Sequence, residues 1–170
     1  GQTKFARRVQ LLLAEYDFEA VGGTLDDEIR VLAVAGAAVL VHHLHDAELP
    51  ARRSILIYPD SFDDEYGGHG KGNILGMVHR QGPIIFSSKS LRRGWKSDTD
   101  GHNVSIHEWA HVLDLMDGYA DGVPDVSDQS GWDETVKEEL LRVRKGRSVL
   151  RDYAGTNRAE LFAVSVEVFF

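Results

Sequence analysis

The sequence predicts an α+β fold, mostly helical with a small mixed sheet. Apolar residues recur at helical spacing in several segments, two short stretches rich in β-branched residues lie between them, and one apolar helix is broken by His107, Glu108 and His111. In chain order, Phe5, Val9, Leu12 and Leu13 place a helix over residues 4–14. A second helix is expected from Asp26 to Leu44. Its apolar run from Ile29 to Val41 falls short of the ~20 residues that a membrane span needs, so it reads as a buried helix. Residues 54–59 read as a strand, and Ile74–His79 with Pro83–Ser88 as a hairpin turned at Arg80, Gln81 and Gly82. The glycine-rich, acidic stretch 60–73 reads as a mobile surface loop. Helices then follow over 103–117, closed by Gly118, over 132–144, and from Asn157 to Phe170.

With 170 residues the chain has the size of one domain, expected to run over residues 1–170, and is long enough to bury a core without staples. A metal is then expected for chemistry. The absence of cysteine excludes thiolate metal sites, disulfides and cysteine nucleophiles, and fits a reducing compartment. A formal charge of −8 argues against a nucleic-acid partner, which needs clustered cations on one face. The short basic stretch Lys89, Arg92, Arg93 and Lys96 reads as a solvated helix face. Gly70-Lys71 lacks both the following Ser or Thr and the upstream glycine of a phosphate-binding loop. The opening residues carry no uninterrupted apolar run with a cleavage site. The expectation is a cytoplasmic protein with no membrane partner.

His107-Glu108-Trp109-Ala110-His111 is an HExxH pattern on a predicted helix. Positions i and i+4 set both imidazoles on one face, one turn apart, where a single cation can bridge them. Val104, Ile106, Val112, Leu113, Leu115 and Met116 give that helix a buried body, and buried polar groups need partners. One metal ion would satisfy both imidazoles and Glu108 together. The plainer alternatives are two hydrogen-bonded helix histidines and a capping box from Ser105 to Glu108.

A catalytic zinc site takes three protein ligands and leaves a position for water. Asp117, at the place where another HExxH class has a histidine, is one candidate for the third. Glu160 is better placed, because a carboxylate in the apolar helix RAELFAVSVEVFF must meet a cation or a donor. Capping by Asn157 would also account for Glu160. Glu167, two turns on along the same face, competes for the ligand position. Asp114, one turn past His111, could accept the free N–H of a ligand imidazole or lie on the helix surface.

With these residues in place, the chain resembles the MtfA (Mlc titration factor A) family, gluzincin peptidases whose zincin-like core is similar to the catalytic domain of anthrax lethal factor. The resemblance covers most of the chain. It is carried by GHNVSIHEWAHVLDLMDG at 101–118, the following ADGVPD, ILIYPDSF and GPIIFSSKSLRRGW upstream, and the terminal DYAGTNRAELFAVSVEVFF. It implies a zincin-like metallopeptidase domain with one zinc ion held by His107, His111 and Glu160. It also implies Glu108 as general base and Tyr153, seven residues before Glu160, as stabiliser of the transition state. A peptide or protein is the implied substrate, with aminopeptidase activity, and a transcriptional repressor is the implied alternative partner. The substrate backbone is expected to pair with an exposed strand edge at Ile84–Ser88.

Overall fold

The apolar positions that predict helices become the inner faces of a helical layer packed on one side of a four-stranded sheet. A computed structural model of the chain describes residues 2–42, 49–50, 53–67, 72–97, 101–124 and 130–170. In chain order the elements are α1 (Gln2–Glu15), β1 (Asp17–Ala20), α2 (Asp27–Leu40), β2 (Ser54–Tyr58), β3 (Gly76–Val78), β4 (Ile84–Ser87), α3 (Ser88–Gly94), α4 (Val104–Asp114), α5 (Trp132–Arg144) and α6 (Arg158–Phe169). Short 3-10 turns occupy Leu115–Asp117 and Asp152–Gly155.

The sheet has the order β1-β2-β4-β3. β1, β2 and β4 run parallel, and β3 is antiparallel to β4 at the edge, so the sheet is mixed as expected. The hairpin turns where predicted, with His79 N–H bonded to Pro83 O and Gly82 N–H to His79 O. Side chains alternate between the two faces of the sheet. Ile55, Ile57, Ile84 and Phe86 join the helices in the main core. Tyr58 and Ile85, with Leu56 and Met77, pack on the other face against Phe62 and Ile74. Those two residues pair in a bridge that pins the 60–73 segment to the sheet, while residues 68–71 of that expected loop lie outside the described residues.

One strand is unanticipated and two expectations need correction. The strand β1, Asp-Phe-Glu-Ala, has no apolar run to announce it, because as an edge strand it buries little and its register with β2 comes from the backbone ladder. Helix α2 ends at Leu40, capped by Val41, and residues 43 and 44 of its expected end lie outside the described residues. The Ile84–Ser88 segment is not an exposed edge: β4 has β2 on one side and β3 on the other, because the hairpin folds β3 back over it. Among the described residues the edge strands are β1 and β3, and β3 packs against α4. The basic stretch falls on α3 and its end, where Lys89 pairs with Asp60 and Arg92 with Asp26 and Glu28 in exposed ion pairs, as a solvated face should. Among the described residues no helix is long and apolar enough to cross a membrane.

Helix α2 is apolar on nearly every side because it is nearly surrounded. Asp26 caps its start by accepting from Ile29 N–H at 2.8 Å. Helix α4 lies directly against it. Ser105 Oγ donates to Ala33 O at 2.9 Å and accepts from Gly36 N–H at 3.1 Å, and Trp109 Nε1 donates to the same Ala33 carbonyl at 2.7 Å. Trp109 is fully buried, with Tyr16 edge-on to its ring at 5.2 Å. These bonds fix the rotation of α4, and therefore the direction in which its polar trio faces.

The contact requires glycine at position 36. A Cβ there would lie 2.5 Å from Ser105 Oγ and 2.6–2.7 Å from backbone atoms of Ser105 and Ile106, so neither helix could yield by a side-chain rotation alone. Gly36→Ala is expected to destabilise the fold by about 1–3 kcal/mol, the usual range for overpacking a close contact. Urea denaturation of the variant checks this, and an unchanged midpoint would remove the role assigned to the contact.

Candidate metal centre

Helix α4 begins at Asn103, whose side chain accepts from Ser105 N–H at 3.0 Å and Ile106 N–H at 3.2 Å. Ser105 is therefore inside the helix and occupied by α2, which removes the capping-box reading of Glu108. With Ile106, Trp109, Ala110 and Val112 turned to the core, the opposite stripe carries His107 and His111 toward α6. Helix α6 starts at Asn157, which accepts from Glu160 N–H at 2.9 Å. Capping at Asn157 is thus real, but it uses the backbone of Glu160 and leaves the carboxylate free to turn toward the histidines.

Three ligand-type atoms converge there. His107 Nε2 lies 3.1 Å from Glu160 Oε2, His111 Nε2 lies 3.5 Å from the same oxygen, and the two Nε2 atoms are 3.1 Å apart. Glu160 Oε2 is buried yet makes no properly aligned hydrogen bond. Two ring nitrogens and a carboxylate oxygen converge in this way when a proton or a cation stands among them. A tetrahedral ion with bonds of ~2.0–2.1 Å separates neighbouring ligand atoms by about 3.3 Å, so the three distances describe one face of such a site. Among the described residues His107, His111 and Glu160 form the group able to hold a metal ion.

The other carboxylates sort themselves by where they point. Glu167, buried on α6, places Oε1 3.2 Å from His107 Nδ1, an ion-pair distance without the alignment of a hydrogen bond. It therefore addresses the far side of the His107 ring and not the Nε2 cluster. Its other oxygen pairs with Arg151, whose guanidinium also donates to Gly101 O at 3.1 Å and lies 5.8 Å from the Tyr153 ring centre. Asp117 accepts from Tyr119 N–H at 2.8 Å and shapes the turn after the helix. Asp114 is neither an imidazole partner nor a surface acid. It is fully buried, and its two oxygens accept from Gly122 N–H and Val123 N–H, both at 3.0 Å, tying the following loop to α4.

Tyr153 lies in the 3-10 turn Asp152–Gly155, half exposed, its ring centre 6.0 Å from that of His107. Burial, and then the neighbouring Glu160 carboxylate, push its hydroxyl up to about 12, so it stays a proton donor near neutrality. Burial raises the Glu108 carboxyl to about 6 against the pull of His107 and His111. Burial disfavours the His107 imidazolium, but Glu160 and Glu167 outweigh it and raise the ring to about 10. Burial likewise opposes ionisation of Glu160, yet the two histidines hold it well below the usual carboxylate range. Without a metal, the cluster keeps positive charge as protons where a cation would otherwise supply it.

Residues 1–170 match the sequence profile of a family described as glucose-regulated metallo-peptidase M90. The chain belongs to this family. An uncharacterized protein of Synechocystis is 31% identical over 98% of this chain and 67% of its own length. Proteins named Mlc titration factor A resemble it to a similar degree: that of Escherichia fergusonii is 34% identical over 68% of this chain and 50% of its own, and that of Cronobacter sakazakii 30% over 99% and 70%. The chain thus spans between half and 70% of the length of these relatives. The MtfA resemblance read from the sequence holds, and family membership implies a metal, which the donor set of His107, His111 and Glu160 fits.

A buried carboxyl with a raised pKa weakens the metal-free fold as pH rises. Below about pH 4.5 Glu108 is protonated in both folded and unfolded chains; between there and about pH 6 the unfolded chain releases its proton first, and stability falls. Metal-free Glu108→Gln should therefore be more stable than its parent at pH 7, by up to about 2 kcal/mol for a shift from 4.5 to about 6, with the difference closing by pH 4. Chemical denaturation of both proteins in chelator at the two pH values reads this directly. Equal stability at pH 7 would contradict the burial of a charge at this position.

Proposed function

We propose that this chain is a zinc-dependent peptidase of the gluzincin type, with His107, His111 and Glu160 holding the ion. The observation that carries the reading is the convergence of two Nε2 atoms and one carboxylate oxygen at separations of 3.1–3.5 Å, with Glu108 buried beside them. When bound, zinc supplies Lewis-acid polarisation of a carbonyl and acidifies water.

The remaining steps belong to the chain's own side chains. The carboxylate of Glu108, buried beside the ligand set, takes a proton from the attacking water. The protonated carboxyl then donates to the nitrogen of the leaving amine. Tyr153, a neutral donor at the mouth of the site, hydrogen-bonds the oxyanion that develops on the substrate carbonyl. Glu167 holds the His107 ring from its Nδ1 side, and Arg151 holds Glu167. An extended substrate pairs its backbone with the open edge of β3, the strand that packs against α4. An aminopeptidase-like preference rests on the MtfA resemblance alone.

A second reading follows from the relatives named Mlc titration factor A. In it the chain binds a repressor of the Mlc kind in the cytoplasm, and hydrolysis is secondary. The two readings separate in one variant, because binding of a repressor does not require a general base.

Glu108→Gln should keep one zinc per chain and lose peptide hydrolysis by at least ~100-fold, as expected when a general base is removed. In the same assay Tyr153→Phe, which deletes only the hydroxyl, should lower kcat by roughly 10- to 1000-fold with little change in KM or zinc content. Metal analysis with a panel of aminoacyl and blocked peptides provides the readout. Parental turnover in Glu108→Gln would overturn the peptidase mechanism, and a parent protein that binds repressor but cleaves nothing would favour the second reading.

A further inference from the structure

Glu108 is not covered by side chains alone: part of its roof is the bare backbone of the edge strand. In β3, Met77 packs on the outer face of the sheet and Val78 on the helical face. Alternation along the strand then sends position 76 to the same side as Val78, toward α4. That position is glycine. A Cβ built there would lie 2.5 Å from Glu108 Oε1, 2.6 Å from its Cγ and 2.8 Å from its Cδ, so the space a side chain would need is filled by the carboxylate arm of Glu108. Gly76 does not have the positive φ that would otherwise explain a glycine, and it pairs in ordinary register with Phe86.

We infer that Gly76 is a positioning residue for Glu108: the missing side chain lets the edge strand close over the carboxylate and fix where its oxygens sit. The inference rests on the peptidase reading for its catalytic consequence but not for the steric one. Ser105 and Trp109 anchor α4 to α2, so the helix cannot retreat from β3. The main ladder of β3 with β4, extended by Ser87 N–H to Leu75 O at 2.8 Å, restrains the strand in turn. The part able to yield to a methyl group at position 76 is therefore the Glu108 side chain, whose displacement moves the proton acceptor and leaves the metal ligands in place.

Zinc-loaded Gly76→Ala should keep parental zinc content and a zinc Kd within about threefold, while kcat falls by roughly 100-fold, the scale of a 1 Å misplacement, and KM changes little. A second readout needs no catalysis. The methyl group should lower Tm by roughly 3–9 °C in the parent, and by clearly less beside Glu108→Ala, which removes all three of the atoms it would meet. If Gly76→Ala fails to fold, the Gly76→Ala/Glu108→Ala double variant should recover fold and zinc. Parental kcat in zinc-loaded Gly76→Ala, equal Tm losses in the two backgrounds, or a double variant that stays unfolded would each overturn the inference. A parent that binds zinc and cleaves no peptide, yet shows the Tm coupling, would instead leave Gly76 as the spacer of Glu108 and overturn the peptidase reading.

Discussion

Two imidazole nitrogens and a carboxylate oxygen lie within 3.5 Å of one another in a largely buried place, and the rest of the fold serves to hold them there. Such a cluster is unfavourable without positive charge among its members, since burial removes the water that would otherwise solvate them. The approach is fixed from both sides. Ser105 and Trp109 lock the rotation of α4 against α2, and Asn157 starts α6 at the residue that brings Glu160 opposite His107 and His111. Arg151 and Glu167 add a brace behind the His107 ring and tie it to the turn that carries Tyr153.

The cost of this arrangement is visible in the same residues. Glu108 is buried with its carboxyl raised to about 6, and Glu160 Oε2 lacks an aligned hydrogen-bond donor. The buried Glu108 carboxyl weakens a metal-free fold as pH rises and suits hydrolytic chemistry, the usual sense in which active sites trade stability for function. Asp114 shows the opposite use of a buried acid. Its two backbone hydrogen bonds to Gly122 and Val123 satisfy it locally and keep the loop after α4 in place.

What the sequence made legible was what periodicity encodes. The HExxH spacing, the apolar body of α4 and the polar interruptions of α6 are all one-dimensional signals, and the hairpin was marked by its turn. Glu160 and Glu167 could not be separated by pattern, because positions seven apart share a helix face and only the partner helix decides which imidazole nitrogen each meets. Asp114 was misread because its partners come from a loop whose path depends on tertiary packing. The strand order was equally hidden: β4 looks like an edge until the hairpin places β3 outside it, and β1 alternates Phe18 and Ala20 with two acids over only four residues, too short a pattern to stand out. The role of Gly76 has no sequence signature, since a missing atom becomes informative only when its neighbour is known.

Anomalous scattering at the zinc absorption edge from crystals of the zinc-loaded chain tests the metal centre most directly. One peak per chain is predicted, within ~2.0–2.2 Å of His107 Nε2, His111 Nε2 and a Glu160 carboxylate oxygen, with Glu108 and Glu167 outside bonding distance. A peak bonded to Glu167 in place of Glu160, or no peak at the two histidines under saturating zinc, would contradict it.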